Sequence, residues 1–182
     1  MNAIELLNNR QSNPFLQTPA PNEQDLNTII TAGMRVPDHG GIKPWHFTVI
    51  TEQGLTKLAD VFVQARVVKQ AEQAVIDKAK KMPFRAPMII VVSTKYQSHN
   101  KVPEKEQLIT AGCCVHAMQM AATALGYGAM WRTGDLAENN TVKEGLNIKI
   151  SEDIVGFLYI GTKTKELALK SNKPYQSFVS YF

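Results

Sequence analysis

Leu108-Ile109-Thr110-Ala111-Gly112-Cys113-Cys114-Val115-His116-Ala117-Met118-Gln119-Met120-Ala121-Ala122-Thr123-Ala124-Leu125 is the stretch whose reading decides the fold. It holds no charge, and its only polar side chains are Thr110, His116, Gln119 and Thr123. A membrane-spanning helix wants roughly 20 apolar residues. Here polar groups interrupt the run, Lys105 and Glu106 precede it, and Gly126 stops it. The stretch therefore predicts a buried helix over about 104–125, with Pro103 in its first turn. A helix apolar on nearly every side is either central or packed on a second subunit. Gly112, His116, Gln119 and Thr123 form a small-and-polar stripe at helical spacing, which reads as a satisfied core histidine beside close helix packing. Cys113 and Cys114 are adjacent, a spacing that suits disulfide geometry poorly, so both read as reduced thiols.

Outward from this helix, the elements alternate irregularly. Met88-Ile89-Ile90-Val91-Val92 is short, apolar and rich in β-branched residues, as in a strand buried on both faces. His46–Thr51 and Ile154–Ile160 read as further strands, and Ala129–Thr133 as a short strand or extended loop. From Leu55 to about Lys80 the pattern is helical but broken, predicting two helices or one helix with a mobile end. Near the N-terminus, Asn2 caps a short helix over 3–9 that delivers Arg10 into a loop. Residues 13–21, with Pro14, Pro19 and Pro21, read as irregular. Asn22 then caps a helix whose inner stripe is Leu26, Ile29, Ile30 and Gly33. Gly126-Tyr127-Gly128 ends the long helix, and the apolar tail Phe178–Phe182 is expected to dock, for example on a partner chain. Interspersed helices and strands without a βαβ rhythm favour one α+β domain over 1–182.

Composition narrows the function classes. The 182 residues are 44% hydrophobic and 20% charged, with a formal charge of +4 and a pI near 9.0. That balance mildly favours anionic ligands. No basic stripe with interleaved aromatics supports a nucleic-acid partner. The first residues lack a basic region followed by an apolar one, so no export signal is expected and a cytoplasmic protein is. His39, His46, His99 and His116 lack metal-ligand spacing, and no metal is expected. Glycine-rich dinucleotide and phosphate loops and the serine nucleophile elbow are absent as well. What remains is three scattered groups suited to anions: Arg10 with Ser12, Arg35 with His39, and Arg132 with Thr133 beside Trp131.

Several blocks together resemble the nitroreductase family, and within it its short YdjA-like branch. They are Asn9-Arg10-Gln11-Ser12, Ala32-Gly33-Met34-Arg35-Val36-Pro37-Asp38-His39, Lys43-Pro44-Trp45-His46-Phe47, Pro83-Phe84-Arg85-Ala86-Pro87, Trp131-Arg132-Thr133-Gly134 and Val155-Gly156-Phe157-Leu158-Tyr159-Ile160-Gly161. The likeness runs nearly end to end, and its most specific parts are the Pro-Asp-His/Pro-Trp-His-Phe and Trp-Arg-Thr-Gly blocks.

The resemblance implies an α+β nitroreductase-like fold, a central sheet flanked by helices, in an interlocked homodimer with flavin sites at the interface. It implies FMN held by Arg10, Gln11, Ser12, Arg35, His39, Trp131, Arg132 and Thr133. It further implies a nicotinamide contact along Ala121, Ala122, Thr123, Ala124, Leu125 and Gly126. The implied activity is oxidation of NADH or NADPH and reduction of a nitroaromatic, quinone or similar small electron-poor acceptor, in two hydride steps through the flavin. Arg10, Arg35 and Lys43 are then candidates for tuning the flavin by charge. A flavoprotein of the same fold with another role (dehalogenation, flavin breakdown, electron supply to a partner) is the alternative. The chain departs from the family's Arg-Arg-Ser-x-Arg start, having Arg10-Gln11-Ser12-Asn13-Pro14, and has Lys43 where many members carry Gln.

Overall fold

The computed structural model describes residues 2–171 and 174–182. The long apolar helix is α5, Glu104–Ala124, and it is central. Its buried side includes Ala111, Cys114, Val115, Met118 and Ala122. Its other side leaves Leu108 and Ile109 exposed, together with Cys113 and His116. Pro103 sits at the N-cap, one position before the first turn, with extended backbone. Gly126 adopts φ 93° after the helix, the left-handed turn that glycine adopts without a Cβ clash. Burial drives the Cys114 thiol pKa up to about 12, so this cysteine packs as a small apolar group.

The sheet is antiparallel throughout. The strands are β1 (Leu16–Gln17), β2 (Trp45–Thr51), β3 (Met88–Thr94), β4 (Gly128–Arg132) and β5 (Ile154–Lys163). β3 lies between β2 and β5, and β5 pairs with β1 and β4 as well. Every residue of β3 is buried, because helices cover both faces. Ile90, Val92, Leu158 and Ile160 meet Ile29 of α2 (Glu23–Gly33) and Cys114, Val115 and Met118 of α5. Ile89, Val91, Phe157 and Tyr159 meet the other helices: Leu58 and Phe62 of α3 (Gln53–Val68), Ala79 of α4 (Gln73–Lys81) and Val142 of α6 (Asn140–Gly145). Strand alternation thus builds two cores from one sheet.

The broken pattern after Leu55 resolves into two helices, α3 and α4. Asn2 caps α1 (Ala3–Asn9) through a reciprocal capping box with Glu5. The stretch expected to be irregular contains β1, whose two residues add to the end of β5. The aromatic tail lies uncovered by the chain itself, with Phe178 84% and Tyr181 89% exposed.

Arg66 on α3 grips Asp135, just beyond β4, with both guanidinium ends, Nη2 to Oδ1 at 2.9 Å. That hydrogen bond, ahead of the simple charge attraction, holds the Asp135 carboxyl below its usual pKa. A depressed carboxylate stabilises the fold fully above its unfolded pKa of about 3.9, and the contribution is lost as pH falls through the folded value. Asp135 is 60% exposed, so the pair contributes at most about 1 kcal/mol. Asp135→Asn is therefore expected to flatten the acid limb of stability without changing stability near neutrality by more than about that amount. Urea unfolding at a series of pH values checks this, and an unchanged acid limb would contradict it.

Candidate functional site

The end of α1 turns outward at Arg10, the C-cap, whose backbone N–H still bonds to Leu6. Asn13 follows, 5% exposed. Its backbone N–H donates to the Ala129 carbonyl at 3.0 Å, its side-chain Nδ2 donates to the Lys165 carbonyl at 2.8 Å, and its side-chain Oδ1 accepts from the Phe15 N–H at 2.9 Å. The Arg10–Ser12 turn is thereby stitched to β4 and to the chain leaving β5. On the other side stands α5, from which the buried Gln119 donates to the Ala129 carbonyl at 3.2 Å.

Between these elements lies an open cavity of about 420 Å³ lined by Arg10, Ser12, His116, Gln119, Trp131 and Thr133. Trp131 forms one wall, and its indole N–H donates to the Val155 carbonyl at 3.2 Å. Arg10 forms no ion pair among the described residues. The cavity thus offers one free guanidinium, two hydroxyls, an imidazole and an aromatic plane, donors that suit an anionic group next to a flat ring system. A larger depression of about 730 Å³ runs along α2, but Glu23 is the only charged side chain lining it, so it lacks comparable chemistry.

The structure separates the other predicted residues. Gln11 turns away from the 420 Å³ cavity, and its amide donates to the carbonyls of Leu167 and Ala168 at 3.2 and 3.0 Å. With Arg10 and Thr123 it helps line a second cavity of about 230 Å³. Arg132 points to the opposite face of the sheet from Trp131, as successive strand residues must, and its guanidinium lies 5.4 Å from the Tyr159 ring centroid. Burial, and then the nearby Arg85, lower the Arg132 pKa. Its Nε has no hydrogen-bond partner among the described residues.

Arg35 and His39 lie on the loop between α2 and β2. His39 Nδ1 is 2.8 Å from Glu106 in the first turn of α5, and the Pro37 carbonyl accepts from Thr110 at 3.4 Å. Gln119 is about 20 Å further along that helix at 1.5 Å per residue. Within one chain His39 therefore stands away from the Arg10 cavity, and Arg35 is not among the residues that line it. Lys43 is exposed, with φ 51°, and its N–H donates to Asp38 at 2.8 Å. In the predicted nicotinamide stretch Ala122 is fully buried, the Thr123 hydroxyl donates to the Gln119 carbonyl at 2.9 Å, and Ala124 to Gly126 are exposed.

Sequence reasoning missed two lining residues. His116 was expected in the core but is exposed and faces the cavity. Its helical spacing from Ile109 and Cys113 gives a shared face, and only the structure shows that this face is uncovered. Gln119 was expected only as part of a packing stripe. Among the described residues no helix is long and apolar enough to cross a membrane, and no group of three or more His, Cys, Asp or Glu is placed to hold a metal.

Comparison with known proteins bears on the family and the fold. The model of the nitroreductase family matches residues 9–162. The chain is 45% identical over 183 aligned residues, all of both chains, to the Escherichia coli K12 protein called "Putative NAD(P)H nitroreductase YdjA". In fold it is similar to a nitroreductase-like family protein from Bacillus cereus, at a TM-score of 0.87 and 20% identity, covering 100% of this chain and 96% of that one. It is similar also to a Bacteroides fragilis nitroreductase with bound FMN, at a TM-score of 0.77 and 20% identity over 100% of both chains.

Proposed function

This chain belongs to the nitroreductase family, and on that premise we propose that it is an NAD(P)H-dependent oxidoreductase that carries FMN and reduces small electron-poor acceptors such as nitroaromatics and quinones. The observation that carries this reading is the 420 Å³ cavity, where Arg10, Ser12 and Thr133 gather beside Trp131. That donor set fits a flavin phosphate next to its ring system. When bound, FMN would supply the hydride-transfer chemistry. The chain's own part is to bind and orient. Arg10 supplies charge to the phosphate, the hydroxyls of Ser12 and Thr133 supply directed hydrogen bonds, and Trp131 closes one side against water.

The same reading extends to a homodimer. The resemblance assigns Arg35 and His39 to the flavin as well, yet neither lines the Arg10 cavity, and His39 is bonded to Glu106, about 20 Å along α5 from Gln119. A second copy contributing its own Arg35 loop reconciles the two groups. The exposed Leu108 and Ile109 of α5 and the uncovered tail, Phe178 and Tyr181, supply apolar surface for that contact. Sedimentation is expected to give a dimer, and a stable monomer that still retains FMN would contradict the shared site.

The activity is tested by adding NADH or NADPH anaerobically to the FMN-loaded protein and then an electron-poor acceptor. The flavin colour should bleach and return. FMN retained but never bleached by either nucleotide would turn the reading to a flavoprotein of the same fold with another role.

A further inference from the structure

Gln119 lies on the buried side of α5, 4% exposed, at the base of the cavity that Arg10 and Ser12 line. Its amide nitrogen has two hydrogens. One is directed to the Ala129 carbonyl at 3.2 Å and the other to Ser12 Oγ at 3.5 Å. The Ala129 carbonyl also accepts from the Asn13 N–H at 3.0 Å, so Gln119 and the Ser12–Asn13 backbone are tied to one point on β4. The orientation of the amide follows from these partners. A backbone carbonyl can only accept, so the nitrogen faces it, and Ser12 Oγ on the same side must accept as well. A hydroxyl that accepts from below keeps its hydrogen for another acceptor. Ser12 is exposed on the cavity side.

We propose that Gln119 is a positioning residue that holds the Ser12 hydroxyl as a hydrogen-bond donor toward an anionic group of the ligand in this cavity. The inference rests on the flavin reading above and assigns the anion as the phosphate of FMN. Gln119 does not touch the ligand in this role. It sets the direction of the one neutral hydroxyl beside Arg10, so that charge and hydrogen bond converge on the same group. Without the amide, the Ser12 hydroxyl rotates freely, and part of its binding contribution is lost to that freedom.

The test compares two ligands in the apo-protein: FMN, and riboflavin, which has the same ring system without the phosphate. Gln119→Met keeps the length and packing of the side chain but removes the amide. It is expected to weaken FMN binding about threefold to tenfold and leave riboflavin binding within about twofold, inside the scatter of such effects. In a Ser12→Ala background the same substitution should have no further effect on FMN, because the hydroxyl it positions is gone. Equal losses for both ligands would show a merely structural role and overturn the proposal, as would an undiminished effect in the Ser12→Ala background. Should Gln119→Met fail to fold, Ser12→Ala alone decides at an exposed position. It must weaken FMN and spare riboflavin, and an unchanged FMN affinity leaves Gln119 nothing to position. A wild-type chain that binds neither ligand would instead fail the flavin reading itself, and this inference with it. One that binds FMN and riboflavin equally well keeps a flavin site but fails the phosphate assignment to this cavity, and the inference with it.

Discussion

Replacing Arg10 with alanine is expected to weaken FMN binding by about one to two powers of ten and to leave the melting temperature of the flavin-free chain nearly unchanged. The guanidinium borders the 420 Å³ cavity and pairs with no carboxylate among the described residues. Removing it therefore orphans no internal partner. Its backbone N–H, which closes α1, survives the substitution. What is lost is a charge-assisted hydrogen bond to the ligand, worth roughly 1.5–3 kcal/mol. The family's neighbouring arginine is Gln11 here, and its amide is engaged with the carbonyls of Leu167 and Ala168. Gln11 therefore does not substitute for the missing charge. Titration of apo-protein with FMN, for wild type and Arg10→Ala, measures the effect. Equal dissociation constants would mean that the phosphate rests elsewhere.

The second large effect is expected at Gly156. This glycine lies in β5 between Val155 and Phe157, beneath the indole of Trp131. A methyl group there would overlap the ring, with Trp131 Cδ1 at 2.6 Å and the Arg132 carbonyl oxygen at 2.9 Å. Such distances are far inside van der Waals contact, and the indole is held in place by its bond to Val155. Gly156→Ala should cost about 1–3 kcal/mol through overpacking, and the melting temperature should fall by about 2–4 °C per kcal/mol in a chain of this size. Because Trp131 also walls the cavity, FMN affinity should fall in the same variant. Calorimetry of the apo-protein together with an FMN titration checks both. A variant that melts like wild type would show that the indole is free to move aside.

The fold was legible where burial leaves a strong pattern. The apolar run at Leu108–Leu125 reads as a helix that is central or packed on a second subunit, and α5 is central; Met88–Val92 reads as a strand covered on both faces because helices do cover both. β1 was not legible. Two residues make no periodicity, and Leu16–Gln17 pair with β5 only because the chain returns there. The cavity was legible in its chemistry but not in its geometry. Arg10, Ser12, Trp131 and Thr133 converge. Arg132 could have been separated from Trp131 by strand alternation alone, and the structure sets it over Tyr159 instead. Burial, the larger influence, raises the Tyr159 pKa to about 12, so the ring beneath that guanidinium keeps its proton. His116 was misread because a helix pattern shows which residues share a face, and only the tertiary structure shows whether that face is covered. The distance between His39 and the Arg10 turn depends on how α5 spans the molecule, which no local motif records.

The central claim is that the Arg10–Thr133 cavity holds FMN, and the most direct measurement is the binding isotherm of the apo-protein with FMN, followed by the visible flavin spectrum and run beside Arg10→Ala. The account predicts saturable, non-covalent binding by wild type, with the isotherm shifted by about one to two powers of ten in the variant. A folded wild-type chain that stays colourless with added FMN would contradict it.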